Sequence, residues 1–331
     1  MRAQIRRPKL LAAAAAAALA MAALPAIVTA ADTAARLELA RDTIAAASAF
    51  DGYVERASAM RGDFADARAV SEALSVGATY RIAQIEQGEI AYGALVALQD
   101  PAFVRGVRER ARKAGGYEAL AEELTASPHL VMQIEGSETA AALVEATLRS
   151  KGEQILLAGR AVKQAAYDVQ RKPWSRETVP DQAGRLARVK ALSNSGYAVP
   201  ADGEARLMRT VAEMRGTVPS RNFAPSPVVT KALALAAVAL SGKAGEDNIA
   251  RLQPILSDAR SNSCLKMAKL NLYQCLAVAG PHYEDVFCLG QHVLLDTGKC
   301  VTDAAGASRA VPVRSPTPTT VASATIPVAE D

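Results

Sequence analysis

All four cysteines of this 331-residue chain lie in one short segment near its C-terminus. They are Cys264, Cys275, Cys288 and Cys300. An even number of clustered cysteines is typical of a disulfide framework in an oxidising compartment, and such a framework cross-links the segment that contains it. The segment lacks the Cys-x2-Cys spacing of zinc and thiol redox sites, so we expect no metal and no cofactor here.

The cysteine segment predicts two helices joined by a short turn. Apolar residues recur at helical spacing from 264 to 279, and Lys269 is assigned to the opposite, polar side. Gly280-Pro281 ends this helix, and acids open a second one that is expected to run to about Asp296, with Gly298 as its C-terminal cap. Two cysteines of one helix cannot pair, because they stand roughly 16 Å apart along the axis while a disulfide needs Cα atoms within about 7 Å.

The bridges must therefore link the two helices. A short turn makes the hairpin antiparallel, which matches Cys275 with Cys288 near the turn and Cys264 with Cys300 at the open end. In a regular helix Cys300 would lie roughly 120° around the axis from Cys288, and a turn at Gly298 is expected to bring it back. The layout resembles the twin Cys-x9-Cys hairpins of the coiled-coil-helix-coiled-coil-helix family, although the intervals here hold ten and eleven residues. The resemblance covers residues 264–300 and implies a similar hairpin geometry.

The rest of the chain also predicts helices. Half of the residues are hydrophobic but only 4% are aromatic, and the abundant alanine favours helix over strand. A proline-free stretch from Ser137 to about Gln170 predicts one long helix, and residues 228–240 predict a buried core helix too short to span a membrane. We expect an all-α fold, in which a multi-helix bundle domain precedes the disulfide-stapled antiparallel hairpin and a disordered C-terminal tail.

The long helix carries an apolar residue every seven positions, with small residues in the alternate position of the same seam. Such a seam lets a second helix approach closely, so this helix is expected to form the spine of the N-terminal domain. The apolar positions are Leu148, Ile155, Val162 and Val169, and the small ones are Gly152, Gly159 and Ala166.

The first thirty residues have the three parts of a signal peptide. A basic start precedes an apolar stretch and the small residues Val28-Thr29-Ala30, so we expect cleavage after Ala30 and a periplasmic or secreted protein without a membrane span. Retention of the leader as a membrane anchor is the alternative. The predicted organisation is a signal peptide (1–30), an N-terminal helical domain (31–195), linking helices packed on it (196–260), the four-cysteine hairpin (261–303) and a disordered tail (304–331).

The charge balance argues against nucleic acid as a partner. The chain has 38 Lys and Arg against 34 Asp and Glu, and the leader contains four of the bases and none of the acids. The mature protein would therefore carry 34 of each. A basic excess that would indicate nucleic-acid binding disappears with the leader.

Candidate catalytic residues are explained by structural roles. Ser263 and Lys266 fit a Ser-x-x-Lys pattern, but its companion motifs are missing and Ser263 is interpreted as a helix N-cap. Glu86 and Glu89 lie one turn apart, as carboxylates on a solvated helix face commonly do. No nucleophile motif accompanies the three histidines, which are His129, His282 and His292. We assign no catalytic, cofactor-binding or metal-ligating residue.

The sequence favours a binding or scaffolding module of the cell envelope over an enzyme, with another envelope protein as its partner. The expected interaction surface is the face of the hairpin that carries Tyr283, Glu284 and His292. One alternative is an envelope hydrolase that acts on peptidoglycan or peptide. A second alternative is a periplasmic carrier of a small ligand or lipid.

Overall fold

The computed structural model describes residues 37–214 and 224–306, and within these ranges the chain is built from helices without any named strand. This architecture confirms the all-α prediction. The predicted signal peptide and residues 307–331 of the predicted tail lie outside the described residues. The start of the predicted tail was wrong, because Ala304 and Ala305 are buried at the end of the last helix. The helices are α1 (Arg41–Ser58), α2 (Ala67–Ala78), α3 (Ile82–Ala97), α4 (Pro101–Lys113), α5 (Tyr117–Ala126), α6 (Ser137–Asp168), α7 (Pro173–Arg176), α8 (Gln182–Ser195), α9 (Gly203–Glu213), α10 (Pro227–Leu240), α11 (Ile249–Leu256), α12 (Ala259–Val278), α13 (His282–Cys288) and α14 (Asp296–Ala305).

Helix α6 is the predicted long helix and the centre of the packing. It contacts α1, α3 and α10, and also the C-terminal elements α13 and α14. Its apolar seam residues Leu148, Ile155 and Val162 are buried, as the seven-residue repeat predicts, and so is Val169 in the turn that follows the helix. The helix ends in a short 3-10 turn before Lys172-Pro173, because a proline ring cannot continue the helical hydrogen bonding.

The second predicted core helix is α10. It begins at Pro227, directly after the N-cap Ser226, whose hydroxyl accepts a hydrogen bond from the Val229 amide. Its side chains from Ala232 to Ala239 are all buried, which confirms the expectation for residues 228–240. The described residues belong to one contact unit, and the division predicted at residues 195 and 260 stays a prediction.

The partner that crosses α6 closely is the second helix of the cysteine hairpin. A Cβ atom at Gly152 would lie 2.8 Å from the amide nitrogen of Thr302, so only glycine fits there. The partner helix also has a glycine at the contact, since a Cβ at Gly290 would lie 2.5 Å from the amide nitrogen of Lys163. The small seam of α6 therefore holds the C-terminal helix at backbone contact distance.

We predict that Gly290→Ala lowers the free energy of unfolding by about 1–3 kcal/mol, because overpacking would force the two backbones apart. Gly280→Ala is the matched control, since the nearest atom to its added methyl is 3.8 Å away. That control is expected to leave stability unchanged or slightly raised, because alanine restricts the unfolded chain. Urea denaturation of both variants measures the difference, and equal midpoints would contradict the close crossing.

The hairpin has the predicted turn and the predicted pairing. Helix α12 ends at Val278, Pro281 precedes α13, and the chain reverses between them. Disulfides join Cys264 to Cys300 and Cys275 to Cys288, with Cα separations of 5.6 and 5.8 Å. The nested arrangement derived from helix geometry is therefore the one that the structure contains.

The end of the second hairpin helix was predicted incorrectly. The helix does not end near Asp296. It continues through a π-helical segment, Leu289–Leu295, into α14, which ends at Ala305. Gly298 is not a cap: it lies inside α14, where a Cβ would be 3.0 Å from the amide nitrogen of Leu156. Each residue turns less in the wider i→i+5 geometry than in an α-helix. The π-helical segment therefore rotates Cys300 back toward the face of Cys288 without a break in the helix.

Candidate functional site

The three residues of the predicted interaction surface all have structural contacts. Tyr283 is half-buried and packs against the core. A carboxylate oxygen of Glu284 accepts a hydrogen bond from the Gly280 amide at 2.7 Å, so this side chain closes the hairpin turn. His292 pairs with Asp296 at 2.8 Å. An interaction role for these residues stays a prediction.

The Ser-x-x-Lys pattern lies inside a helix. Asp258 is the N-cap of α12, and its Oδ1 accepts hydrogen bonds from the amides of Arg260 and Ser261 at 3.1 Å each. Ser263 is exposed in the second turn and is not the N-cap that the sequence indicated. The apolar pattern of α12 begins only at Cys264, so it does not indicate Asp258 as the N-cap.

Glu86 and Glu89 are not on a solvated face. Both are buried, at 5% and 1% exposure, because α3 packs against α1, α6, α10 and α12. Glu86 accepts hydrogen bonds from the Asp258 amide, at 2.7 Å, and from the Asn262 side chain. Glu89 accepts one from the Ser261 hydroxyl. The two glutamates therefore bind the beginning of α12 through hydrogen bonds.

Glu89 is protonated more readily in the folded protein than in the unfolded chain. Burial raises its pKa well above 4.5, and the hydrogen bond from Ser261 offsets only part of this effect. The second oxygen, Oε2, is buried without a hydrogen-bond partner among the described residues. A neutral carboxyl group is the form that such an environment favours.

This environment gives a pH-dependent stability. A carboxyl group with a raised folded-state pKa contributes stability that is complete below 4.5 and is lost as the pH rises through the folded-state pKa. We predict that Glu89→Gln, which is neutral at every pH, makes the protein more stable than wild type at about pH 8 but not at about pH 4. Glu122→Gln, on the exposed side of α5, is the control and should show no such difference. Thermal unfolding of the three proteins across this pH range tests the assignment, and parallel curves would refute it.

Lys269, which the sequence predicts on the polar face of its helix, is also buried. It is 6% exposed. Its ammonium nitrogen donates to the backbone carbonyls of Tyr80 and Ser193 and lies 3.9 Å from the centre of the Tyr80 ring. Burial lowers the pKa of Lys269 to about 7. The side chain therefore ties α12 to the start of α3 and the end of α8.

A signal for this burial exists in the sequence. Lys269 lies four residues after Leu265 and three before Leu272, and both leucines are buried. Positions with this spacing share one face of a helix. The lysine therefore lies on the buried face of α12. The prediction that it faces solvent rested on its charge and not on its spacing from the two leucines.

A cleft of about 340 Å³ opens beside Lys269, between α12, the end of α8 and the start of α3. Its charged lining residues are Arg81, Lys266 and Lys269, and no carboxylate lines it. The nitrogen of Lys190 lies 5.6 Å from the ring of Tyr273, another lining residue. None of these four cations forms an ion pair with the described residues. The cleft is thus a local concentration of positive charge.

Two further clefts have mixed linings. One, of about 460 Å³, is bordered by Asp258, Ser261 and the Cys264–Cys300 disulfide. The other, of about 390 Å³, lies between α5, α10 and α11 and includes both acids and bases, such as Glu118 and Arg251. Glu86 and Glu89 line neither of these clefts. Both carboxylates instead bind the beginning of α12, at the Asp258 amide and the Ser261 hydroxyl.

Across residues 37–214 and 224–306, no group of three or more His, Cys, Asp or Glu side chains is placed to hold a metal ion. Within those ranges, no helix has both the length and the apolar character needed to cross a bilayer. No family model, no curated protein and no solved structure matches this chain.

Proposed function

We propose that this protein is exported to the cell envelope and acts there as a binding module, with another envelope protein as its partner. The observation that carries the proposal is the pair of nested disulfides, which leave no free cysteine in the chain. Stable disulfides belong to oxidising compartments such as the periplasm. The signal-peptide pattern of residues 1–30 supports the same compartment.

An exposed apolar stripe on α12 supports a binding role. Met267, Leu270 and Val278 are 51%, 45% and 83% exposed and lie on one side of this helix. Exposed apolar side chains that share a face are typical of interaction sites. The disulfides join α12 to its partner helix at both ends, so the stripe is held on a rigid support.

The compartment is tested by fractionating host cells that express the full chain. We expect the protein in the envelope or periplasmic fraction, with an N-terminus at residue 31 and no thiol that an alkylating reagent can modify. A cytoplasmic protein with reactive thiols would contradict the proposal.

The binding role is tested by photo-crosslinking in the same cells. A photoreactive amino acid at position 278 is expected to yield one defined adduct with an envelope protein. The same probe at Leu157, which is 68% exposed on α6, is the matched control. The adduct should disappear when Met267 is changed to Ser, and an adduct that persists would contradict a role for the stripe.

A further inference from the structure

We propose that the cleft between α3, α8 and α12 is a binding site for a phosphate group, either free or as part of a phosphate ester such as a lipid headgroup. The inference rests on the proposed binding function and names the ligand class. Of the apolar stripe, only Leu270 lines this cleft, so Met267 and Val278 test the stripe separately from the cleft. Arg81, Lys266 and Lys269 carry the assignment.

The charges of the cleft come from separate parts of the chain. Arg81 precedes α3, while Lys266 and Lys269 lie one turn apart on α12. Folding brings these like charges together, although their repulsion opposes it. An anion that neutralises them would remove this repulsion, and the absence of a lining carboxylate leaves that position open to a ligand.

The donors suit an oxyanion of high charge. Arg81 provides a planar guanidinium that can bind two oxygens, and Lys266 adds a flexible point charge. Asn194 and Tyr273 add polar side chains to the lining, whereas the hydroxyl of Ser193, another lining residue, already donates to the Ala78 carbonyl. Ile82, the first residue of α3, also lines the cleft, so the positive end of that helix lies at the same place.

Lys269 holds the backbone on which two cleft residues, Arg81 and Asn194, are placed. Its nitrogen is bound to two carbonyls, those of Tyr80 and Ser193, which directly precede Arg81 and Asn194 in the chain. The lysine therefore fixes the backbone on two sides of the cleft. A bound anion would favour its charged form, because an opposite charge nearby stabilises the ammonium ion.

The test is calorimetric titration of the purified full-length protein with inorganic phosphate. Arg81→Gln/Lys266→Gln removes two exposed cations, and we expect it to weaken binding at least about tenfold, because both side chains would donate charge-assisted hydrogen bonds to the anion. Arg108→Gln/Lys113→Gln, on the exposed face of α4, makes the same charge change away from the cleft and should not alter binding. Circular dichroism and the thermal midpoint confirm that both variants fold.

A second arm distinguishes the two sources of the phosphate group. The same proteins are sedimented with vesicles of zwitterionic lipid, with and without an added anionic phospholipid. Binding of inorganic phosphate that depends on Arg81 and Lys266 supports a free phosphate ligand. Binding only to anionic vesicles, with the same dependence, supports a lipid headgroup. If neither probe binds wild type, or if the cleft variant binds like wild type, the inference is overturned, whereas crosslinking at position 278 would still support the binding module.

Discussion

Arg185→Ala is expected to lower the free energy of unfolding by about 3–5 kcal/mol, because it leaves a buried charge without its partner. Arg185 and Asp285 form an ion pair in which each side chain is only 5% exposed. The same guanidinium donates to the carbonyl oxygens of Leu276 and Ala279, the latter at 3.0 Å. One residue of α8 thus holds both the C-terminal end of α12 and the first turn of α13.

The pH dependence of this loss identifies its cause. Burial raises the pKa of Asp285 and Arg185 lowers it, so removing the arginine raises that pKa further. A raised carboxyl pKa contributes stability that is present at low pH and lost as the pH rises. The deficit of Arg185→Ala is therefore expected to be smaller in acid than at neutral pH.

Arg188→Ala provides the matched control on the same helix. Arg188 and Asp181 are 62% and 66% exposed and 3.7 Å apart, and exposed pairs contribute at most about 1 kcal/mol. Chemical denaturation at several pH values compares the two variants. Similar losses for Arg185→Ala and Arg188→Ala, or a loss independent of pH, would contradict the role of the buried pair.

Removal of the outer disulfide, Cys264–Cys300, is expected to lower the free energy of unfolding more than removal of the inner one, Cys275–Cys288. Cys264 and Cys300 are 36 positions apart, and Cys275 and Cys288 are 13 apart. Loop-closure entropy then predicts losses of about 4 and 3 kcal/mol for the two paired alanine variants. Alanine is the suitable replacement, because Cys288 and Cys300 are buried and a serine hydroxyl would need a hydrogen-bond partner.

Guanidinium denaturation of both paired variants, with oxidised wild type as the reference, measures these losses, and wild type in reducing agent shows the effect of losing both disulfides. A stable variant without the outer disulfide would mean that packing against α6 alone holds α14 in place. Such a result would contradict the idea that the disulfides hold α12 as a rigid support.

The elements with strong periodicity were predictable from the sequence. The seam of α6, the apolar run of α10 and the nested cysteine pairs all follow from residue spacing, and the structure contains each of them. The π-helical segment Leu289–Leu295 was not predictable, because no local residue pattern specifies it. Backbone contact between Gly290 and Lys163, together with the bridge to Cys300, accompanies that geometry.

The candidate site was harder to predict than the fold. Glu89 and Lys269 were placed in solvent because isolated ionisable residues are rarely buried. Their burial depends on contacts from distant parts of the chain, such as Ser261 for Glu89 and the Tyr80 carbonyl for Lys269. The cleft beside Lys269 joins residues more than a hundred positions apart, and no local pattern brings them together.

The most direct test of the account is disulfide mapping of the protein isolated from its host's envelope under non-reducing conditions. The account predicts two cross-linked peptides, one joining Cys264 to Cys300 and the other joining Cys275 to Cys288. Recovery of free thiols would contradict the oxidising compartment, and a peptide that joins Cys264 to Cys275 would contradict the stapled hairpin that supports the proposed binding surfaces.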